Sequence, residues 1–133
     1  MKRILFPAMA VLMAVALTSC GSVKHSMKQK PFDGVGIVAH RGYWNCEAGG
    51  FARNSVAALK AAQDAGFWGS EFDVNMTSDE VLLVFHDPTV QGKRIDANPY
   101  SAFADFRLEN GEPIPTMDKF LDQAEKCATT KLV

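Results

Sequence analysis

The sequence predicts an α/β domain in which short strands alternate with helices. Residues 35–39 form an apolar run typical of a strand that is buried on both faces of a parallel sheet. Residues 71–76 alternate strictly between polar and apolar side chains, which indicates a strand with one polar face. Two other segments have apolar residues at helical spacing, and each follows residues that can cap a helix.

The first predicted strand leads directly into His40-Arg41-Gly42, and a glycine-rich loop follows. Asn54-Ser55 comes next, and either residue can accept a hydrogen bond from the free N–H groups at the start of a helix. We expect this helix to run to about Ala65, with Gly66 as its stop.

The alternating strand is followed by another apolar strand at residues 81–85. The connection between them is too short for a parallel crossover, which needs about ten residues or more. We therefore predict a local hairpin in which Thr77 folds back on Glu80. In that register His86 lies opposite Glu71 on the same face, and a one-residue slip would separate them.

The second half of the chain has one clear helix. Residues 89–115 are predicted to be mostly loop, with room for one helical turn at residues 102–106. Thr116 is a candidate N-cap for a helix whose apolar residues, at 117, 120, 121 and 124, share one face. Residues 131–133 are expected to begin a further strand.

The N-terminus has the pattern of a bacterial lipoprotein signal peptide. Lys2 and Arg3 precede an apolar stretch at residues 4–17, which is shorter than the roughly 20 residues of a membrane-spanning helix. The stretch ends in Leu17-Thr18-Ser19-Cys20, which resembles a lipobox, the motif in which the cysteine becomes lipid-modified. A plain hydrophobic leader with an incidental cysteine is the alternative.

We therefore expect residues 1–19 to be removed on export and Cys20 to anchor the protein to a membrane. Residues 20–33 are polar and basic, without an apolar period, and are predicted to tether the lipid to the folded domain. The expected location is the cell envelope, in the periplasm or at the surface.

The near-neutral net charge gives no reason to expect a highly charged binding partner. The 14 lysines and arginines nearly match the 15 acids, so nucleic acid is not an expected partner. Cys46 and Cys127 lack the close Cys or His spacing of a zinc site. An oxidising compartment would permit them to pair, but we expect two unlinked thiols.

Five side chains are candidates for chemistry. Glu71 and Asp73 share one strand face, where like charges are costly unless a positive group joins them. A divalent cation would supply that charge, and a solvent-facing edge strand is the alternative. His40 and His86 each follow a strand and can exchange protons near neutral pH. Arg41 offers a planar fork to phosphate oxygens.

Together these side chains are the equipment of a metal-assisted phosphodiesterase. The segments around them also resemble the glycerophosphodiester phosphodiesterases, with the same order and spacing over roughly residues 36–121. The matching segments are Ala39-His40-Arg41-Gly42, Asn54-Ser55, Ala65-Gly66, Glu71-Phe72-Asp73-Val74, Phe85-His86-Asp87 and Glu112-Pro113-Ile114-Pro115-Thr116.

The resemblance implies a TIM (β/α)8-barrel, of which residues 34–133 would contain only the first strands and helices. It implies hydrolysis of glycerophosphodiesters to glycerol 3-phosphate and an alcohol such as choline or ethanolamine. His40 and His86 would be general acid and base, in either order, and Arg41 would bind the phosphate. Glu71 and Asp73 would hold Ca²⁺ or Mg²⁺. The nucleophile could be a metal-bound water or the substrate's own neighbouring hydroxyl.

Three departures from the family pattern limit these expectations. Arg53 stands where the family often has an acid, after an unusual loop at residues 46–51, so the substrate pocket is expected to differ there. Glu80 occupies a turn position where the family commonly has glycine. The family's third metal-binding Glu, with a Lys two residues later, belongs to the strand beginning at residues 131–133, and both are absent. We expect this chain by itself to be inactive or nearly so.

Two other functions remain open at this point. One is a lipid-anchored module that recognises phosphate without turnover. The other is phospholipase-type phosphodiesterase chemistry on a similar barrel.

Overall fold

The computed structural model describes residues 34–133, so the predicted signal peptide, the tether and Cys20 lie outside the described residues. No helix within residues 34–133 is long and apolar enough to cross a membrane. In chain order the elements are β1 (Val38–Ala39), α1 (Val56–Asp64), β2 (Gly69–Ser70), β3 (Val74–Met76), β4 (Leu82–Val84), β5 (Thr89–Val90), β6 (Lys93–Arg94), a 3₁₀ turn (Tyr100–Ala102), α2 (Met117–Ala124) and β7 (Lys131–Leu132).

Three of the strands form a parallel sheet, which agrees with the predicted α/β class. The strand order is β1-β2-β7, with Val38 paired to Gly69 and Gly69 paired to Lys131. Helix α1 connects β1 to β2, and α2 precedes β7, so the three parallel strands keep their chain order in the sheet although two hairpins lie between β2 and β7. That order is the one found in a (β/α)8 barrel.

Strand β1 is shorter and more exposed than its sequence predicts. Val35 is 95% exposed and Ile37 is 62% exposed, whereas Ala39 is buried. The prediction of a strand buried on both faces is therefore wrong for residues 35–38, since Val38 is also exposed. The reason is position, because β1 is an edge strand of the described sheet.

Helix α1 begins and ends where the sequence predicts. Ser55 is the N-cap, and its hydroxyl oxygen accepts a hydrogen bond from the N–H of Ala58 at 2.9 Å. Gly66 has a φ of +72° and follows the C-cap Ala65, which is the usual left-handed helix stop. Ala58 and Leu59, on the inner face, are fully buried.

Helix α2 also matches its prediction and packs beside α1. The hydroxyl of Thr116 accepts from the N–H of Lys119 at the start of the helix. Phe120 is buried with Leu59 and Val84 between the helices and the strands. Two buried glutamines join the helices, because the side-chain amide of Gln123 donates to Oε1 of Gln63 at 2.8 Å.

The predicted hairpin exists as β3 and β4, but its register is shifted by one residue. Val74 pairs with Val84, and the N–H of Thr77 donates to the carbonyl of Val81 at 3.0 Å. The turn thus contains three residues, ending with Glu80 at a φ of +63°. A left-handed residue at the end of a three-residue turn is a common hairpin solution. His86 is therefore not opposite Glu71, and that prediction is wrong.

Residues 71–73 do not form a strand of their own, in contrast to the predicted strand at residues 71–76. They change partners instead: the N–H of Glu71 donates to the carbonyl of Ala39 at 2.9 Å. The carbonyl of Asp73 accepts from the N–H of Phe85 at 3.0 Å. This stretch is the point where the chain leaves the parallel sheet and enters the hairpin.

The segment between the hairpin and α2 has more structure than predicted. Strands β5 and β6 form a second small hairpin, and the 3₁₀ turn lies two residues before the predicted helical turn. These pieces share an apolar cluster with β4, formed by Ala52, Leu83, Val90, Ile95, Phe103, Leu108 and Ile114. Cys46 and Cys127 are free thiols, in line with the expectation.

Candidate active site

The turn after β1 carries two of the predicted site residues. Arg41 and Gly42 have φ values of +58° and +78°, so the chain reverses sharply after His40. A Cβ atom on Gly42 would lie 2.7 Å from the Cβ of Ala58, so any larger residue would push the turn off α1. Glycine therefore lets the turn sit directly on the helix, which fixes the position of Arg41 and His40.

Glu71 holds this turn in place. Its Oε2 atom accepts a hydrogen bond from the backbone N–H of Arg41 at 2.9 Å. The same oxygen lies 3.9 Å from Nε2 of His40, whose side chain is 74% exposed. The structure therefore brings three of the predicted site residues together at the carboxyl ends of β1 and β2.

Asp73 joins the cluster through Arg41. Its Oδ2 atom is 3.4 Å from Nε of Arg41, and both side chains are mostly buried. The Nε atom is inaccessible and makes no hydrogen bond of good geometry within the described residues. A second contact to Oδ2 comes from the side-chain amide of Asn54, which donates at 2.9 Å. Asp73 is thus held by Asn54 and forms an ion pair with Arg41.

His86 and Arg41 line the same cavity, which has a volume of about 370 Å³. Arg41, Asn54, His86 and Asp87 line this cavity, together with Arg53 and Arg107. The Nδ1 atom of His86 is 2.6 Å from Oδ1 of Asp87. A carboxylate can only accept a hydrogen bond, so the proton of a neutral His86 ring lies on Nδ1 and Nε2 is left unprotonated.

The cavity is also lined by Arg53, the residue that stands where the family often has an acid. The guanidinium of Arg53 lies 4.3 Å from the ring centre of Trp44, within cation–π distance. Phe85 and Phe106 meet edge to face at 6.0 Å and form an aromatic part of the wall. A cavity of this size matches small-molecule sites, which are typically about 300–1,000 Å³.

Glu71 and Asp73 supply two oxygen ligands of the kind that a hard divalent cation binds. Glu71 and Asp73 use Oε2 and Oδ2 in their contacts within residues 34–133, which leaves one oxygen of each carboxylate as a ligand. Mg²⁺ is commonly bound by one or two carboxylates with water and substrate phosphate completing its shell. No group of three or more His, Cys, Asp or Glu side chains in the described part of the chain could hold a metal ion.

Two residues with clear roles were missed by sequence reasoning. Asn54 was considered as a helix cap and as part of a matching segment, whereas its side chain binds Asp73. Glu112 was quoted only as part of a motif, yet its carboxylate accepts from the N–H groups of Val56 and Ala57 at 3.0 and 3.3 Å. The only signal for either was membership in a matching segment, since their partners lie 19 and 55 or 56 residues away in sequence.

A family model agrees with the resemblance seen in the motifs. The model described as the glycerophosphoryl diester phosphodiesterase family matches residues 40–128. A glycerophosphodiester phosphodiesterase of Caldanaerobacter subterraneus is 33% identical over 96 residues, which is 72% of this chain and 35% of that protein. The chain thus spans about a third of the length of this relative.

Solved structures extend the similarity to the fold. The crystal structure of a glycerophosphodiester phosphodiesterase from Parabacteroides distasonis matches with a TM-score of 0.70 and 44% identity, covering 73% of this chain and 40% of that one. A phosphodiesterase from Oleispira antarctica, in complex with the product sn-glycerol-3-phosphate, matches with a TM-score of 0.59 and 23% identity, covering 74% and 43%. The matched enzymes are TIM barrels, and residues 34–133 correspond to part of such a barrel, so the predicted fold class is confirmed.

Proposed function

Because the chain belongs to the glycerophosphoryl diester phosphodiesterase family, we propose that the whole protein hydrolyses glycerophosphodiesters to glycerol 3-phosphate and an alcohol. One observation carries this proposal: Arg41 is shared between the carboxylate cluster and the cavity that holds His86. A phosphodiester bound at Arg41 would therefore have both the acids of the cluster and the histidine of the cavity nearby. The product bound by the Oleispira antarctica enzyme supports the choice of substrate class.

Arg41 is the proposed phosphate-binding residue. Its backbone is held by Glu71 and its side chain by Asp73, so little flexibility is lost when it binds an anion. A guanidinium can donate two parallel hydrogen bonds to phosphate oxygens. Arg41 would thus orient the diester and compensate for part of its charge.

His40 and His86 are the proposed proton-transfer residues. Asp87 holds Nδ1 of His86, which leaves Nε2 as the atom that takes or gives the proton. His40 is next to Oε2 of Glu71 and largely exposed, so its ring can reach a substrate bound at the adjacent Arg41. One histidine would deprotonate the nucleophile and the other would protonate the departing alkoxide.

Glu71 and Asp73 are the proposed ligands of a divalent cation, Ca²⁺ or Mg²⁺. Such a cation would polarise the phosphodiester and neutralise charge that develops on it. The two carboxylates supply hard oxygen ligands at the edge of the cluster, next to the phosphate-binding arginine. Their contacts with Arg41 and Asn54 hold them in place for that role.

Release of glycerol 3-phosphate from glycerophosphocholine by the whole protein tests the proposal. Changing His40 or His86 to Ala should lower kcat about 10²- to 10⁴-fold, the usual contribution of a general acid or base. His25→Ala is the matched control, since His25 is the third histidine of the chain and has no assigned role. A folded His40 or His86 variant with the rate of the unchanged protein would refute the assignment.

We expect residues 34–133 by themselves to hydrolyse this substrate slowly or not at all. Two carboxylates alone bind a cation weakly, because sites made only of protein use more oxygen ligands. The exposed edge at β1 would also leave the site without one wall of a closed barrel. Comparable rates for residues 34–133 and for the whole protein would contradict this expectation.

The proposed location of the protein is the cell envelope, with a lipid on Cys20. The proposal is supported by the charged start, the apolar stretch and the Leu17-Thr18-Ser19-Cys20 motif. Cys20→Ala should move the protein from the membrane fraction to the soluble fraction. Cys46→Ala is the matched control, and unchanged fractionation of the Cys20 variant would refute the anchor.

A further inference from the structure

Asn54 is a buried polar residue in an unusual backbone conformation. It is only 2% exposed and has a φ of +58°, in the left-handed region. Its backbone N–H donates to the carbonyl of Arg41 at 3.0 Å. Asn54 therefore joins the loop before α1 to the turn that carries the proposed phosphate-binding residue.

Both polar groups of the Asn54 side chain form hydrogen bonds with Asp73. The amide Nδ2 donates to Oδ2 of Asp73 at 2.9 Å, and Oδ1 accepts from the backbone N–H of Asp73 at 3.3 Å. A side chain that binds the backbone and the carboxylate of the same residue restricts the rotation of that carboxylate. Asp73 is thereby held with Oδ2 occupied and Oδ1 left for another ligand.

The start of helix α1 does not depend on this side chain. Ser55 is the N-cap, and the carboxylate of Glu112 accepts from the next two free N–H groups of the helix. The side-chain contacts of Asn54 thus contribute to the cluster of Arg41 and Asp73 rather than to the helix.

We propose that Asn54 is a positioning residue, which orients Asp73 as a cation ligand and sets its distance from the Arg41 turn. The proposal rests on the proposed function, in which Glu71 and Asp73 hold a divalent cation. Groups that hydrogen-bond to a metal ligand typically change metal affinity 10- to 100-fold when removed. Asn54 makes two such bonds to one candidate ligand.

The chain contains a matched control for this arrangement. Asn110 contacts Glu112 in the same way, since its Nδ2 donates to Oε1 at 3.0 Å and its Oδ1 accepts from the backbone N–H at 3.0 Å. Glu112 caps α1 and is not a proposed cation ligand. Loss of the Asn110 bonds should therefore affect stability but not cation binding.

The test is a titration of the whole protein with Mn²⁺, followed by electron paramagnetic resonance. Mn²⁺ prefers the same oxygen ligands as Mg²⁺ and Ca²⁺. Asn54→Gly keeps a residue that tolerates the left-handed backbone and removes both side-chain bonds. We expect it to weaken Mn²⁺ binding about 10- to 100-fold. Asn110→Ala should leave the affinity within about twofold, and melting temperatures measure the stability of both variants.

Asn54→Ser provides a second variant if Asn54→Gly does not fold, because serine keeps one polar group but is too short to bridge both positions. Unchanged Mn²⁺ affinity in a folded Asn54 variant would overturn the positioning role while the cation site stands. An equal loss of affinity in the Asn110 variant would also overturn it, since the effect would then be one of general stability.

A further outcome separates this inference from the proposed function. If the whole protein hydrolyses glycerophosphocholine but does not bind Mn²⁺, the positioning role and the cation ligands are both wrong and the phosphodiesterase activity stands. If it binds Mn²⁺ more weakly after Asn54→Gly but shows no hydrolysis, the positioning role stands and the proposed reaction is wrong.

Discussion

Arg41 and Asn54 have left-handed backbone conformations at neighbouring points of the candidate site. Such conformations cost a residue with a side chain roughly 1–2 kcal/mol, and they persist where the surroundings determine them. Here Gly42 against Ala58 determines the first, and the hydrogen bond between Asn54 and Arg41 determines the second. The geometry of the site is thus set largely by the backbone.

Glu80 also has a left-handed backbone but takes no part in the candidate site, so it can be used to measure the free-energy cost of that conformation. Its φ is +63° at the end of the hairpin turn, and it is exposed. Glu80→Gly should raise the free energy of unfolding by about 1 kcal/mol, because glycine adopts this conformation without a steric penalty. Urea unfolding measures the change. Glu80→Ala is the control and should show no such gain, since alanine keeps the Cβ.

The hydrogen bonds of Asp79, beside Glu80, should make the stability of the protein depend on pH. Its Oδ1 accepts from the hydroxyl of Thr77 at 2.6 Å and from the N–H of Tyr100 at 2.9 Å. The hydrogen bond from Thr77, followed by that from Tyr100, holds the pKa of Asp79 below its ordinary value. A lowered pKa in the folded state contributes stability above about pH 4, which is lost as the pH falls.

The stability difference between the unchanged protein and Asp79→Asn should therefore shrink between about pH 5 and pH 2. Thermal unfolding at several pH values measures it. Asp105→Asn, at an exposed acid, is the control. A stability difference that stays constant over this pH range would show that the charge of Asp79 does not strengthen its hydrogen bonds with Thr77 and Tyr100.

Helix α1 depends on Glu112, which lies 56 residues after Val56 in the sequence. Glu112 accepts from the N–H groups of Val56 and Ala57, and a carboxylate at a helix N-terminus also interacts favourably with the helix dipole. Glu112→Ala should lower the free energy of unfolding by about 1–2 kcal/mol. Chemical denaturation measures it, with the exposed Glu47→Ala as control. Equal stability of both variants would contradict the capping role.

The elements that the sequence predicted well have local causes. Both helices follow from apolar spacing with Ser55 and Thr116 as caps, and both caps are confirmed. The hairpin follows from the short connection, but its register does not, because glutamate does not itself favour a left-handed backbone and the only sign of one at position 80 was the glycine that the family commonly has there. Strand β2 was missed because Gly69 and Ser70 have no apolar pattern and are set by the strands on either side.

The candidate site was predictable as a set of residues and not as a geometry. The structure brings His40, Arg41, Glu71 and Asp73 together as the motifs imply. His86 was expected to face Glu71 across a ladder, whereas it joins the site through the cavity. Contacts between residues far apart in sequence, such as that of Asn54 with Asp73, have no local pattern from which to be inferred.

At the scale of the whole molecule, residues 34–133 expose apolar side chains at both edges of the parallel sheet. Val35 and Ile37 precede β1 and are largely uncovered, and Val133, after β7, is 55% exposed. Unpaired apolar edges invite pairing with another chain unless a charge interrupts them. Self-association of this part of the chain is therefore expected.

Ile37→Lys should reduce that self-association without a large change in stability, because surface substitutions usually alter the free energy of unfolding by about 0.5 kcal/mol or less. Light scattering of residues 34–133 at several concentrations measures it. Ala128→Lys adds the same charge at an exposed position beyond α2 and is the control. Equal association of both variants would mean that the edge at β1 is not responsible.

The contact between Glu112 and α1 also sets an order of events during synthesis. The capping oxygen is 56 residues downstream of Val56, so a ribosome adding about 5–20 residues per second supplies it about 3–11 s later. Until then Ser55 is the only residue of the growing chain that caps α1. The complete N-terminal cap of α1 therefore needs a chain that extends at least as far as residue 112.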